Sequence, residues 1–234
     1  MTKPRLEGIH ACVFDAYGTL FDYSSAAARC ADVLGDNFPK LNALWREKQL
    51  QYTWLRASQQ RHADFWQVTG DALDFALDSL GISNAALRKK LMNLYLTLEP
   101  FPEVSTILAR LKKARFATAI LSNGSPAMLR AVVNAAKLGP QLDAVLSVEE
   151  VGVFKPHPHV YQLAVDRLEI PAAHIAFVSA NGWDAHAASA FGMRVIWCNR
   201  YGQKPERLPG APDRVVKSLT ALPALVGAAR SHSS

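Results

Sequence analysis

At 234 residues, half of them hydrophobic and 20% charged, the chain has the composition of a compact globular protein and not of a disordered one. The formal net charge is +6, but the densest basic runs, 88–90 and 112–113, look like solvated helix faces, so no nucleic-acid partner is expected. The three cysteines (Cys12, Cys30, Cys198) form no Cys-x-x-Cys pair, and no signal peptide or membrane-spanning window is visible. This pattern predicts a cytoplasmic protein with no membrane partner.

The first predicted strand is an apolar run from Ile9 to Phe14, followed at once by Asp15. Gly18 allows a sharp turn after it, and Thr19 places a hydroxyl nearby. Ligands bind at the carboxyl ends of strands in open parallel sheets, so Asp15 is a candidate nucleophile. The alternative interpretation is a helix cap or turn aspartate.

A long helical stretch without strand pattern runs from about Ser24 to Leu98. Within it, Arg46, Leu50 and Trp54 recur at i, i+4 and i+8. Arg46 either extends along the surface to solvent or faces a groove. We interpret residues 22–103 as a helical cap inserted into another domain.

From Glu103 onward, strands and helices alternate, which predicts an α/β fold with a doubly wound parallel sheet built from residues 1–21 and 104–234. The further predicted strands are Ala117–Leu121, Ala144–Val148, His174–Val178 and Arg194–Trp197. A last helix is predicted over about Ser218–Ala228.

Polar side chains follow four of the predicted strands. They are Asp15, Thr19, Ser122, Asn123, Lys155, Ser179, Asn181 and Asp184. Each residue alone is weak evidence for a functional site, because Ser179 and Asn181 are also good helix caps and Lys155 is also a plausible exposed loop charge. Together, at the edge where this architecture binds ligands, they predict one site.

These motifs resemble those of the haloacid dehalogenase superfamily, and within it the type II L-2-haloacid dehalogenases. The matching segments are 15–22, the cap helix 44–56 with Arg46, 121–126, Lys155-Pro156 with Tyr161, and Ser179-x-Asn181-x-Trp183-Asp184. The resemblance covers nearly the whole chain and implies a Rossmann-like core with a helical cap.

The resemblance also implies a mechanism in which short L-2-haloalkanoic acids become D-2-hydroxyacids. Asp15 would attack the α-carbon with inversion and form an ester, and Asp184 would activate the water that hydrolyses it. Thr19 and main-chain amides would stabilise the oxyanion.

The remaining roles are implied in the same way. Arg46, Asn123 and the Trp183 ring would cradle the halide. Ser122 and Lys155 would hold the substrate carboxylate, with Lys155 also keeping Asp15 ionised. The expected positioning residues are Tyr161, Ser179 and Asn181. The expected pocket walls are Tyr17, Leu50, Phe65 and Trp183, although Tyr17, Phe65 and Trp183 are also compatible with a plain core role.

No metal and no cofactor are expected. Tyr17 stands where metal-dependent phosphatases of the superfamily carry a second carboxylate, and Asp184 with the nucleophile provides too few oxygen ligands for a divalent cation.

The chain departs from the family at Ala180, where a second serine is frequent, and at Gly182, where alanine is frequent. Two alternatives stay open, a small-metabolite phosphohydrolase of the same superfamily and a non-enzymatic scaffold. The resemblance further suggests a homodimer formed through apolar cap helices.

Overall fold

The computed structural model describes residues 5–228 and contains a parallel six-stranded sheet. The strands are β1 (Ala11–Phe14), β2 (Ala117–Ser122), β3 (Ala144–Ser147), β4 (Ile175–Ser179), β5 (Arg194–Cys198) and β6 (Arg214–Val216). Their order is β3-β2-β1-β4-β5-β6, and every neighbouring pair is parallel. The predicted α/β class with a parallel sheet is confirmed.

The helices follow the strands in alternation, apart from one helical block. They are α1 (Ser25–Ala28), α2 (Ala31–Leu34), α3 (Phe38–Gln59), α4 (Phe65–Ser79), α5 (Ala85–Tyr95), α6 (Val104–Lys113), α7 (Pro126–Ala135), α8 (Pro158–Leu168), α9 (Gly182–Phe191) and α10 (Leu222–Val226). The first five lie between β1 and β2 in sequence, within the range assigned to the cap. That assignment of residues 22–103 remains a prediction.

Sheet register explains why the polar groups converge. Phe14 pairs with Ile120 on one side and with Val178 on the other, so the chain leaves β1, β2 and β4 at nearly the same level. The backbone N–H of Asp15 still donates to the Val178 carbonyl, at 2.9 Å. The side chains that follow these strands therefore share one edge of the sheet.

The two connections to the helical block run side by side. The N–H of Asp22 donates to the Glu99 carbonyl at 2.8 Å, and the N–H of Phe101 donates to the Leu20 carbonyl at 2.9 Å. The chain thus enters and leaves the helices through one narrow double connection, directly behind the Asp15 turn.

Two elements differ from the sequence prediction near the carboxyl terminus. β6 was not predicted, because it has only three residues and lies at the sheet edge with Val215 exposed. The last helix is shorter than expected. A 3₁₀ turn (Leu219–Ala221) precedes α10, and Gly227, at a φ of +84°, ends it. Among residues 5–228, no helix combines the length and apolarity needed to cross a bilayer.

Candidate active site

The Asp15 carboxylate lies just past the end of β1, with its side chain 9% exposed. Its Oδ2 atom accepts hydrogen bonds from the Thr19 hydroxyl at 3.0 Å and from Asn181 Nδ2 at 2.8 Å. Its Oδ1 atom lies 3.3 Å from Lys155 Nζ. Its own turn, through Thr19, and two loops that are distant in sequence, through Lys155 and Asn181, therefore hold the carboxylate in one orientation.

Lys155 joins Asp15 to a second carboxylate. Its Nζ donates to Asp184 Oδ2 at 2.9 Å, and the Lys155 and Asp184 side chains are 1% and 0% exposed. The Tyr161 hydroxyl donates to the other oxygen of Asp184 at 2.7 Å. The ammonium group also lies 4.8 Å from the Phe177 ring centroid. The two buried carboxylates thus share one cation, which offsets much of the cost of removing three charges from water.

The environment raises the pKa of Asp184. Burial is the largest cause, and the nearby Asp15 charge adds to it, whereas the Lys155 ammonium and the Tyr161 hydrogen bond oppose it. Burial and the Asp184 charge also raise the pKa of Tyr161 well above its ordinary value. Tyr161 therefore stays a neutral hydrogen-bond donor over the whole range in which a carboxylate titrates.

The direction of each Thr19 hydrogen bond can be assigned, because its hydroxyl group has only one proton to donate. That proton goes to Asp15, so the hydroxyl oxygen accepts the backbone N–H of Ala180, at 2.8 Å. Ala180 contributes through its main chain, which does not depend on the side chain present. Gly182 lies two residues after Ala180. A Cβ at this position would lie 3.1 Å from Glu206 Cγ, so an alanine would require only that the flexible Glu206 side chain shift.

The remaining polar residues of the strand ends hold the loops. Ser179 accepts the N–H of Asn181 at 3.1 Å, and Asn123 Oδ1 accepts the N–H of Lys155 at 3.0 Å. Ser122 accepts the N–H of Gly124 at 3.1 Å. Since the Asn123 oxygen is occupied, its amide N–H₂ is the end left to meet a ligand.

Arg46 reaches the sheet edge from α3. Its Nη2 donates to Asn181 Oδ1 at 3.1 Å, and its Nη1 donates to Gln49 Oε1 at 2.8 Å. The guanidinium carbon lies 4.8 Å from the Tyr23 ring centroid. Of the two possibilities left open by its spacing, the second holds: Arg46 is half-buried and faces the groove between α3 and the sheet edge. A cavity of about 10 Å³ beside it has room for roughly one water molecule.

Tyr17 and Phe65 form an aromatic wall between the helices and the sheet edge. Their ring centroids are 5.6 Å apart, and Tyr17 also lies 5.4 Å from the Tyr95 ring. The buried Tyr17 hydroxyl has no hydrogen-bond partner among the described residues. Burial, followed by the Tyr95 and Asp15 charges, raises the pKa of Tyr17 well above its ordinary value.

Thr19, Lys155 and Asn181 bond the Asp15 side chain directly. Within residues 5–228, the side chains of Leu50, Ser122 and Trp183 make no hydrogen bond or ring contact with any other predicted site residue. Leu50 is half-buried on α3. The Trp183 ring meets Trp54 edge-on, with centroids 5.4 Å apart, and its buried indole N–H has no hydrogen-bond partner in the described part of the chain. Trp183 also lines an apolar groove of about 910 Å³ on the side of Tyr161.

Sequence reasoning missed two residues that contact the site. Gln49 is 1% exposed and bonds Arg46. The sequence did contain an indication of its burial, because Gln49 lies four residues after the apolar Trp45 and therefore on the same helix face. Arg200 donates to the Thr19 carbonyl at 3.0 Å and to Glu103 at 2.7 Å. Nothing in the local sequence around Arg200 announces this contact.

The residues at this site do not suit a divalent cation. The Lys155 ammonium lies between the two carboxylates, where a bound cation would need to lie. Position 17 supplies a phenol packed among aromatic rings and no carboxylate. Within residues 5–228, no group of three or more His, Cys, Asp and Glu side chains is arranged to hold a metal ion.

Comparison with known proteins places this geometry in a family. Residues 9–192 match the model of the haloacid dehalogenase-like hydrolases. The chain is 44% identical over 223 residues to (S)-2-haloacid dehalogenase 1 of Pseudomonas sp. (strain CBS-3), covering 94% of this chain and 98% of that protein. It is 43% identical to (S)-2-haloacid dehalogenase 4A of Burkholderia cepacia, covering 93% and 94%.

A solved structure agrees with these sequence relatives. The L-2-haloacid dehalogenase of Xanthobacter autotrophicus, solved with chloropropionic acid covalently bound, superposes with a TM-score of 0.88 at 39% identity, covering 94% of this chain and 98% of that one. Family model, sequence and fold thus agree over nearly the whole chain. The chain belongs to the haloacid dehalogenase-like hydrolases and, within them, to the (S)-2-haloacid dehalogenases.

Proposed function

We propose that this protein hydrolyses short L-2-haloalkanoic acids to D-2-hydroxyacids through an ester on Asp15, without a metal or another cofactor. The observation that carries the proposal is the orientation of the Asp15 carboxylate by Thr19, Asn181 and Lys155 at a sheet edge that Arg46 faces. The covalently bound chloropropionic acid in the Xanthobacter relative supports it.

In the first step, an Asp15 oxygen attacks the α-carbon from the side opposite the halogen. The new oxygen–carbon bond forms as the carbon–halogen bond breaks, and the halide leaves with the bonding electron pair. Lys155 stabilises the anionic form of Asp15 before the attack. Arg46, the Asn123 amide and the edge of the Trp183 ring receive the departing halide.

In the second step, water attacks the carbonyl carbon of the ester. Asp184 takes the proton from that water, and Thr19 with nearby backbone N–H groups stabilises the oxyanion, an effect worth about 3 kcal/mol per donor in comparable sites. The acyl–oxygen bond then breaks, and Asp184 returns its proton to the departing alkoxide oxygen, which releases the hydroxyacid. Asp15 loses the second water proton to solvent and is restored as a carboxylate with one oxygen from the water. Tyr161 holds Asp184 in place through their 2.7 Å hydrogen bond.

Substrate binding uses the remaining groups at the edge. Ser122 and Lys155 hold the substrate carboxylate, while Ser179 and Asn181 position the loop after β4. Tyr17, Leu50 and Phe65 supply the apolar wall for the alkyl group.

A metal-free halide assay tests this function. We expect wild-type protein to release chloride from L-2-chloropropionate in the presence of EDTA, and Asp15→Asn to release none. In a single turnover in ¹⁸O water, the label should enter Asp15. Chelator-sensitive release of phosphate from a small phosphate ester, with no halide release from several C2 to C4 haloacids, would instead support the phosphohydrolase alternative.

We further propose that the protein is a cytoplasmic homodimer. All three cysteines are unpaired, as expected for a reducing compartment. Apolar side chains lie exposed on the two long helices of the cap, with Trp54 39%, Leu55 49% and Phe75 39% exposed. Light scattering should give twice the 25.6 kDa chain mass, and Leu55→Glu should shift it toward the monomer. A wild-type monomer at micromolar concentration would contradict the dimer.

A further inference from the structure

Gln49 lies behind Arg46 in a buried hydrogen-bond network that joins three helices. Its Oε1 accepts from Arg46 at 2.8 Å, and its Nε2 donates to Thr69 Oγ1 at 2.8 Å and to the Tyr95 hydroxyl at 3.0 Å. Gln49 is 1%, Thr69 0% and Tyr95 3% exposed. Arg46 and Gln49 belong to α3, Thr69 to α4 and Tyr95 to the end of α5.

The partners dictate which way the amide points. The Thr69 hydroxyl donates its only proton to the Phe65 carbonyl oxygen, 2.6 Å away, so its oxygen must accept the hydrogen bond from Gln49. A guanidinium can only donate, so Arg46 requires the oxygen end. The two demands are satisfied by a single orientation, and the amide oxygen is held toward Arg46.

Arg46 is therefore anchored without being neutralised. Its two hydrogen bonds go to the amide oxygens of Gln49 and Asn181, and it forms no ion pair within residues 5–228. Burial raises the pKa of Tyr95, so this third partner of the network stays neutral as well. Neither direct hydrogen-bond partner of the guanidinium therefore carries a negative charge.

We propose that Gln49 is a positioning residue whose neutral amide keeps Arg46 oriented and leaves its positive charge unpaired for the departing halide. The inference rests on the proposed dehalogenase function. A glutamate would occupy nearly the same volume and accept the same hydrogen bond, but it would pair its charge with Arg46. The halide would then leave toward a neutralised cation.

The decisive variant is Gln49→Glu, and its readout is leaving-group dependence. Chloride is a poorer leaving group than bromide, so it needs more stabilisation as it departs. We expect kcat for L-2-chloropropionate to fall about tenfold or more, the scale of one hydrogen bond to a charged group. The fall for L-2-bromopropionate should be smaller, so the bromide-to-chloride ratio of kcat should rise. Inhibition by added bromide should weaken in parallel.

The matched control is Gln59→Glu, the same chemical change at an exposed position of the same helix. It should keep the wild-type ratio. A purely structural loss in Gln49→Glu would lower both substrates by one factor and leave the ratio unchanged, and that result in a folded variant would overturn the inference.

A milder variant covers the case in which Gln49→Glu fails to fold. Thr69→Val keeps the side-chain shape but removes the acceptor that orients the amide, and it should raise the same ratio by a smaller factor. An unchanged ratio would again overturn the inference. Absence of halide release by the wild type would instead defeat the proposed function, so the two failures are distinguishable.

Discussion

The two halves of the site, the sheet edge and the helical side that carries Arg46, differ in whether their charged groups are paired. At the sheet edge, Lys155 lies between Asp15 and Asp184, and all three are nearly buried. On the helical side, the hydrogen bonds of Arg46 within residues 5–228 go only to amide oxygens. The sheet edge compensates its charges before substrate arrives, and removing one partner of such a cluster costs about 3–5 kcal/mol in other proteins. The helical side leaves one positive charge free.

The difference follows from what each half does in the proposed reaction. The nucleophile and the base must stay ionised in a buried place, so they need a permanent counter-ion. The anion that Arg46 is to stabilise exists only after the carbon–halogen bond breaks. A cation already paired with a carboxylate would be a poorer acceptor at that moment.

Asp15→Asn should break the sheet-edge half most severely. Without the anionic oxygen no ester forms, and we expect halide release to fall by at least about 10⁴-fold. Asp36→Asn, at an exposed position just before α3, is the matched control and should behave as wild type. Turnover by Asp15→Asn near the wild-type rate would exclude Asp15 as the nucleophile.

Asp184→Asn should separate the two steps of the reaction. Attack by Asp15 continues, but the water is no longer activated, so turnover should fall by roughly 10²–10⁴-fold. Intact-protein mass spectrometry should show the substrate's carboxyalkyl group retained on the protein, as an ester of Asp15, after one release of halide. Normal turnover would assign the water-activating role elsewhere.

Arg46→Lys tests the helical half. A lysine keeps the charge but loses the planar fork that contacts Gln49 and Asn181 together, so we expect kcat to fall by about 10²-fold with little change in melting temperature. Full activity in Arg46→Lys would mean that charge alone suffices and that orientation contributes little.

The pH profile should show which half limits the rate. Burial raises the pKa of Asp184, and only its ionised form accepts a proton from water. As pH falls, hydrolysis should therefore slow at a pH above that of an ordinary aspartate, whose pKa is about 3.9, and the ester should accumulate. A rate that holds down to pH 4 would show that Asp184 does not govern the limiting step.

Tyr161→Phe should give the smallest effect. Its hydroxyl bonds Asp184 and lowers the pKa of that group, so its loss should move the acid limb to still higher pH. At pH 8 the loss of kcat should be about tenfold or less. A limb that stays at the wild-type pH would show that this hydrogen bond does not tune the base.

Much of the sheet-edge half could be predicted because it depends on local patterns. Short apolar runs predicted β1, β2, β3, β4 and β5, and the parallel arrangement places the residue after each strand at one edge. Asp15, Lys155 and Asp184 follow from that rule together with their motifs. β6 was not predicted because three residues at the sheet edge are too few to show a periodic pattern, and the strand forms only by pairing with β5.

The helical half was decided by tertiary structure. The i, i+4, i+8 spacing on α3 placed Arg46 on a stripe with Leu50 and Trp54, but only packing against the sheet edge turned it toward Asn181. Helical periodicity identifies a face and not the partner that the face meets.

By itself, then, the sequence determined the fold class and the set of polar groups that meet at one sheet edge, because short-range patterns and parallel pairing suffice for these. Its motifs were also enough to show the resemblance to the family. Only the tertiary structure decided the network of Gln49, Thr69 and Tyr95 and the contact from Arg200 to Thr19. These contacts join residues 20 to 181 positions apart. Hydrogen-bond partners at such separations depend on how whole elements pack, and no local pattern records that.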